Sequence, residues 1–399
     1  MEISRHSVCW NHIVLDQVAP LAALSRWMPQ HVAQIDSASV PAIPLVTNAD
    51  VHDILPGLQL WDSWTIDAPD GSAILFDGWR GWVIMCAPRE VHPDLRHDVA
   101  RLRLAMERDG EWRDCGFLLP DDRNPGSREW AGSTVFDIST GNLTLFFTAT
   151  GRRGEQSRTF EQRLFQISGR LEFDGRQLQA SGWGQPVENI IADGIDYVVV
   201  NQHEGVPGFI KGFRDPFHFR DPVSQVDYLL FTASSKKADS SFNGVIGLAC
   251  SGDGNFSAWE LLPPLLSAEG VNNELERPVM RFHQGRYYVF WSTQRKTFAP
   301  DGPNGPNGLY GMVSEQLFGP YRPLNGSGLV APNPPEEPFQ TYSWWVDAQF
   351  NVTGFVDLWG LGGRDAAADP TLVEKQFGGV PAPTFRLAIE GDCAQIAGV

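Results

Sequence analysis

One unit is written five times along this chain, and that repetition constrains the fold more than any single residue does. Each unit opens with a polar-aromatic head: WDSW (Trp61–Trp64), EWAGS (Glu129–Ser133), FRDP (Phe213–Pro216), ERP (Glu276–Pro278) and TYSWW (Thr341–Trp345). A more apolar strand follows each head: WVIMCAP, LTLFFTAT, YLLFTAS, YYVFWST and VTGFVDLW, and the middle three resemble one another. The strand cores, Trp82–Cys86, Leu143–Thr148, Tyr228–Thr232, Tyr287–Ser292 and Val352–Leu358, are rich in β-branched and aromatic residues and bounded by Gly, Pro, Asn or Asp. Short strands repeated at a quasi-regular period predict an all-β fold, a five-bladed β-propeller with a central funnel. The heads lie about 61 to 84 residues apart, more than a small propeller repeat needs, so insertions sit between strands. The 40 Gly and 29 Pro provide the turns. Only His97–Arg108 admits a helical period, and it fits a strand equally well. Residues 56–399 read as one propeller domain. Residues 1–55 precede the first head and either wrap the propeller or close its last blade.

The net charge is −17. An acidic surface repels phosphate backbones, so nucleic acid is not an expected partner. No apolar run approaches the roughly 18 residues of a membrane span. The cysteines Cys9, Cys86, Cys115, Cys250 and Cys393 are scattered and odd in number, without a disulfide framework or a zinc knuckle. Glu2 and Asp16 break the pattern of a secretory signal around Ile13–Leu24.

In a propeller the inner strands line the axis, so the heads meet there although they are distant in sequence. Asp62, Asp215 and Glu276 all occupy heads, flanked by Trp61, Trp64, Trp130 and Arg214. One such head reads equally well as a strand start; three acidic heads together point to a site. Two carboxyl groups across a glycosidic bond are the minimum for its cleavage, one ionised and one protonated. Crowding of like charges raises one of them and supplies the acid form. Aromatic rings stack on sugar faces, and Arg and carboxylates bond the hydroxyls. The nine histidines form no metal-binding pair, His92 and His97 included, and Gly252–Gly254 and Gly360–Gly363 read as turns.

LWDSW, EWAGS, FRDP, NELERP (Asn273–Pro278), GLYGMVS (Gly308–Ser314), FGPYRPLNGSGLV (Phe318–Val330) and QTYS (Gln340–Ser343) occur in order over most of the chain. In these motifs the chain resembles glycoside hydrolase family 68, the levansucrases, inulosucrases and related β-fructofuranosidases. The resemblance implies a five-bladed propeller and a retaining fructosyltransferase that cleaves sucrose. It implies Asp62 as nucleophile, Glu276 as acid/base and Asp215 as stabiliser of the transition state. Arg214, Arg277 and Glu274 would bond substrate hydroxyls, Trp61 and Trp130 would wall the fructosyl pocket, and Tyr342 would stand on the glucosyl side. A second FRDP makes Asp221 a competitor of Asp215; Asp215 is preferred because FHF (Phe217–Phe219) supplies the following strand, which leaves Asp221-Pro222 as a solvated turn.

Three departures bear on activity. Ala131 stands where the family usually has Ser, Trp344 where His is common, and STQRKTFA (Ser292–Ala299) offers Arg295 for the substrate contact made there by other members. Asn273 replaces the Asp of calcium-binding members, so no Ca²⁺ and no other cofactor is expected. The implied partners are sucrose and fructan or other sugar acceptors. The family expectation for location is extracellular or periplasmic; without a recognisable signal, a cytoplasmic site stays open. The alternatives are a β-fructofuranosidase that mainly hydrolyses sucrose or makes short oligosaccharides, an inverting glycosidase and, in another class, a non-catalytic sugar-binding propeller.

Overall fold

The computed structural model describes residues 24–36, 40–200, 211–364, 366 and 368–397. The signal-sequence reading at Glu2 and Asp16, and Cys9, lie outside the described residues. The other four cysteines are free thiols.

Five four-stranded blades follow one another in chain order. Blade 1 holds Leu58–Asp67, Trp79–Pro88, Arg101–Arg108 and Glu111–Phe117. Blade 2 holds Arg128–Asp137, Asn142–Thr150, Gln162–Phe173 and Leu178–Ser181. Blade 3 runs through Phe213–Arg220, Asp227–Ser234, Gly244–Ser251 and Glu260–Ser267. Blade 4 comprises Glu276–His283, Arg286–Thr293, Gly308–Ser314 and Leu329–Pro332. Blade 5 comprises Thr341–Val346, Asn351–Val356, Phe385–Glu390 and Cys393–Ile396. The first strand of every blade packs against the first strands on both sides, and blade 5 meets blade 1 to close the ring. The five heads are therefore the starts of the five inner strands. The segment whose period was ambiguous splits: Pro93–Asp98 is a 3₁₀ turn and Arg101–Arg108 a strand.

Each inner strand carries one extra residue at its head. The register against the second strand slips between Leu60 and Ser63, Trp130 and Gly132, Arg214 and Phe217, Glu276 and Val279, and Tyr342 and Trp345. These are β-bulges, which bend a strand and re-aim a side chain. Asp215, Arg277 and Ser343 sit in them at φ of 58°, 50° and 58°, left-handed conformations that non-glycine residues adopt only when their surroundings hold them. In blade 2 the backbone comes so close that a Cβ on Gly132 would lie 1.9 Å from the Phe146 carbonyl oxygen.

The likeness of the middle three second strands has a physical basis here. Thr148, Thr232 and Ser292 each pair with the residue just before their own blade's bulge. Each hydroxyl also accepts a bond from the next blade's bulge: Asp215 N to Thr148 at 2.9 Å, Arg277 N to Thr232 at 3.1 Å, Trp344 N to Ser292 at 3.0 Å. Cys86 and Phe355 hold the corresponding places in blades 1 and 5.

Arg277 ties three blades together at the axis. Its Nη1 donates to the Ser343 carbonyl at 3.0 Å and hydroxyl at 2.9 Å, and its Nη2 to the Ser63 carbonyl at 2.8 Å, joining blade 4 to blades 5 and 1. Replacing Arg277 by Met is expected to destabilise the fold by about 3 kcal/mol, since buried acceptors lose a charged donor. Urea unfolding measures this; an unchanged midpoint would show that the clasp carries no stability.

The described part of the N-terminal extension wraps the ring and does not close a blade. Ser25–Arg26 adds in parallel to the last strand of blade 3. Trp27 is buried against Trp291, Phe298 and Tyr310 of blade 4, and Val46 packs with Val356, Val380 and Ala382 on blade 5. The last blade is completed by C-terminal strands instead.

Candidate active site

The inner-strand heads open onto one cavity of about 550 Å³. Asp62, Asp215, Glu274 and Glu276 line it together with Trp61, Trp130, Arg214, Arg277 and Tyr342. Carboxylates from blades 1, 3 and 4 thus meet in one chamber. They do not occupy one repeat position: Glu276 precedes its bulge, Asp215 is the first residue within its bulge and Asp62 the second. Convergence depends on where each bulge aims its side chains, not on a strict repeat.

Arg214 is the hub. Its Nη2 donates to Glu274 Oε1 at 2.8 Å and to Glu276 Oε1 at 2.6 Å, and its Nε lies 3.5 Å from Asp215 Oδ2. Burial works against its charge, but Glu274, Glu276 and Asp215 outweigh that and hold its pKa well above the ordinary range. Asp215, 7% exposed, also accepts from Thr232 Oγ1 at 3.0 Å. Burial raises Asp215 to about 7; Arg214 and Arg277 oppose the rise, while Asp62 and Glu276 add to it. Glu274 is raised as well, by burial and by Glu276 against the pull of Arg214. Burial, reinforced by neighbouring carboxylates, thus favours the acid form at Asp215 and acts in the same direction at Glu274. Tyr342 donates its hydroxyl to Glu276 Oε2, and burial beside Glu276 keeps that phenol protonated. Asp62 receives no hydrogen bond from a described residue and is half-buried at the cavity wall.

The raised Asp215 makes a stability prediction. In the unfolded chain an Asp ionises near 3.8, whereas in the fold Asp215 holds its proton to about 7. Stability from this group is complete below pH 4 and is lost as pH rises toward 7. Replacing Asp215 by Asn is expected to stabilise the protein by about 2 kcal/mol at pH 7 relative to pH 4. Chemical denaturation at the two pH values checks it; an equal effect at both would contradict the raised pKa.

Other expectations need correction. Arg295 is exposed and does not line the cavity; the 3₁₀ turn Arg295–Thr297 presents Lys296 there instead. Trp344, the departure from His, is turned into the core: it is 1% exposed and packs edge-on against Tyr342. Asp221 does sit in a turn, where it accepts from the Val223 and Ser224 amides, but it is 4% exposed and also bonds the Tyr287 hydroxyl, so it is buried and not solvated. The strand expected to reach Leu358 stops at Val356. Glu129, the acid of the blade 2 head, bonds Arg101 and the Leu102 amide and stays out of the cavity.

His97 was missed. Its ring stands edge-on between Trp61 and Trp130, at centroid distances of 5.4 and 5.7 Å, and lines the cavity. Burial and the cations Arg96 and Arg214 push its pKa well below 6.5, so the imidazole is neutral. Arg96 lies over the Trp61 ring at 5.6 Å. Both residues come from the turn between the second and third strands of blade 1, outside any head, and no head pattern points to them.

The model of the levansucrase/invertase family, glycoside hydrolase family 68, matches residues 17–243 and 235–398. The chain belongs to this family. It is 31% identical over 422 aligned positions to levansucrase LscC of Pseudomonas savastanoi pv. glycinea, covering 94% of this chain and 92% of that protein. It is 32% identical over 400 positions to a levansucrase of Zymomonas mobilis subsp. mobilis, covering 94% and 90%. Among solved structures it is similar to an inulosucrase from Halalkalicoccus jeotgali bound to kestose, with TM-score 0.86, 38% identity and coverage of 94% and 96%. It is also similar to the levansucrase from Gluconacetobacter diazotrophicus, with TM-score 0.78, 26% identity and coverage of 94% and 89%. The five-bladed ring is the fold of this glycoside hydrolase family, and the protein is an enzyme of the levansucrase type.

Proposed function

We propose that the protein cleaves sucrose by double displacement through a covalent fructosyl-enzyme. A carboxylate oxygen of Asp62 bonds the anomeric carbon of fructose while the bond to the glucosyl oxygen breaks. Glu276 gives its proton to that oxygen and glucose leaves. Glu276 then takes a proton from water or from a sugar hydroxyl, whose oxygen displaces Asp62. Arg214 and Asp215 bind fructose hydroxyls, and the carboxylate form of Asp215 stabilises the positive charge that develops on the ring. Trp61 and Trp130 wall the fructosyl subsite. Fructan chains and other sugars are the acceptors besides water, and the chemistry needs no cofactor. The single observation behind this reading is the meeting of Asp62, Asp215 and Glu276, from three different blades, in one cavity under Arg214.

The rival within the family is an enzyme that mainly hydrolyses sucrose or makes short oligosaccharides. It is favoured by Ala131, which places a methyl group where a hydroxyl is usual. Incubation with concentrated sucrose, followed by quantifying glucose, free fructose and polymer, separates the two. Polymer with glucose in excess of fructose supports transfer; equal glucose and fructose supports hydrolysis; no glucose at all would defeat both and favour a sugar-binding propeller. Among the described residues no helix is long and apolar enough to cross a membrane. A place outside the cytoplasm follows the family expectation.

A further inference from the structure

Lys211 lies three residues before Arg214 and borders the cavity, with its ammonium held in a cage of oxygens. Nζ donates to the Ser241 carbonyl at 2.6 Å, to Asn243 Oδ1 at 2.6 Å and to Asn273 Oδ1 at 3.3 Å. An ammonium carries three N–H donors, which suits it to tie together acceptors from separate pieces of chain. The cage joins three pieces of chain. Lys211 leads into the blade 3 head through Gly212, whose amide bonds Ser234 Oγ at 3.0 Å, and Phe213, whose amide bonds Gln162 Oε1 at 2.8 Å. Asn243 belongs to the turn before the third strand of that blade and is pinned by its own bond to the Ser235 carbonyl at 2.6 Å. Asn273 stands directly before Glu274 and three residues before Glu276. Gly244 lets the last two pieces touch: a Cβ there would come within 2.7 Å of the Asn273 carbonyl carbon.

Asn273 is also the position where calcium-binding members of the family are expected to carry Asp. The oxygens found around it are all neutral, and an ammonium already engages them. Among the described residues no group of three or more His, Cys, Asp and Glu is arranged to hold a metal. Ca²⁺ takes six to eight oxygens, carboxylates among them, so this donor set does not fit it.

We propose that Lys211 is a positioning residue for the carboxylate cluster, a built-in cation that locks the strand delivering Arg214 and Asp215 to the loop delivering Glu274 and Glu276. The geometry makes this lock consequential. Arg214 Nη2 bonds both Glu274 and Glu276, so a slip of either piece by about 1 Å breaks a bond that orients the proposed acid/base. Lys211 also supplies positive charge near Glu274, which in turn supports the Lys211 charge against burial.

The proposal rests on the sucrose-cleaving reading, and the test separates the two. Purified wild type, Lys211→Met and Lys211→Arg are compared for kcat and KM on sucrose, for the pH profile of kcat/KM, and for thermal midpoint with CaCl2 or EDTA added. Lys211→Met is expected to lower kcat by about tenfold to a hundredfold, the scale of a small misplacement, with KM little changed. The acid limb of its profile moves to higher pH, because a cation near the carboxylates is gone; Lys211→Arg recovers most of kcat. The wild-type midpoint is expected to be indifferent to both CaCl2 and EDTA. Wild-type kcat and pH profile in Lys211→Met would overturn the proposal, even with a lowered midpoint, and so would a wild type stabilised by CaCl2. If Lys211→Met does not fold, Asn243→Ala removes a single acceptor and is read against the same criteria. A wild type without sucrose cleavage would defeat the functional reading instead. The cage would then be judged on the thermal arm alone, and a Lys211→Met midpoint equal to wild type would overturn it.

Discussion

Replacing Asp62 by asparagine is expected to lower glucose release from sucrose by roughly four orders of magnitude, the scale seen when a catalytic group is removed from a set that acts together. The amide has nearly the shape of the carboxylate but lacks the charge to attack the anomeric carbon. The fold should not register the change, because no described residue donates a hydrogen bond to Asp62. The thermal midpoint therefore stays at the wild-type value or rises slightly, since a negative charge that helps to raise Asp215 is removed. Glucose release near the wild-type rate would show that some other group attacks the sugar.

Replacing Glu276 by glutamine is expected to slow sucrose turnover by about 10² to 10⁴, the usual contribution of a general acid/base. The loss should depend on the leaving group. Sucrose needs a proton on its glucosyl oxygen, whereas a fructosyl donor with a good leaving group, such as the fluoride, does not. Formation of the fructosyl-enzyme from the fluoride should therefore be slowed far less than from sucrose. Rapid-quench measurement of both donors compares them, and equal losses would assign Glu276 a binding role only. The variant also alters the hub. Arg214 and Tyr342 both donate to the Glu276 carboxylate, and an amide oxygen with its NH2 neighbour accepts from one of them but not from both oxygens.

The heads were legible because their residues lie on strands with a repeating pattern, and strand order in a propeller follows chain order. Asp62, Asp215, Glu276, Arg214, Trp61 and Trp130 all reach the cavity for that reason. Residues on connecting turns were less legible. In the turn after the second strand of blade 4, neighbouring residues point in different directions, so Lys296 lines the cavity and Arg295 does not. His97 and Arg96 arrive from a 3₁₀ turn in blade 1 that follows no repeat. Trp344 fell within a head, yet its bulge turns it into the core, where Ser292 holds its amide. A bulge shifts the alternation of a strand by one residue, and nothing in a head's letters shows which side chain the shift sends inward.

The amino-acid sequence determined by itself that five similar units build a ring and that Asp62, Asp215 and Glu276 stand in heads at its inner strands, because periodic patterning and chain order are local properties. Only the tertiary structure decided which atoms of those heads meet. Arg214 bridges Glu274 and Glu276, burial among them lifts Asp215 to about 7, and Lys211 binds oxygens from two other pieces of chain. Such pairings depend on the closure of the ring and on the depth of burial at its axis, and electrostatic strength follows distance and desolvation, quantities that exist only once the blades have packed.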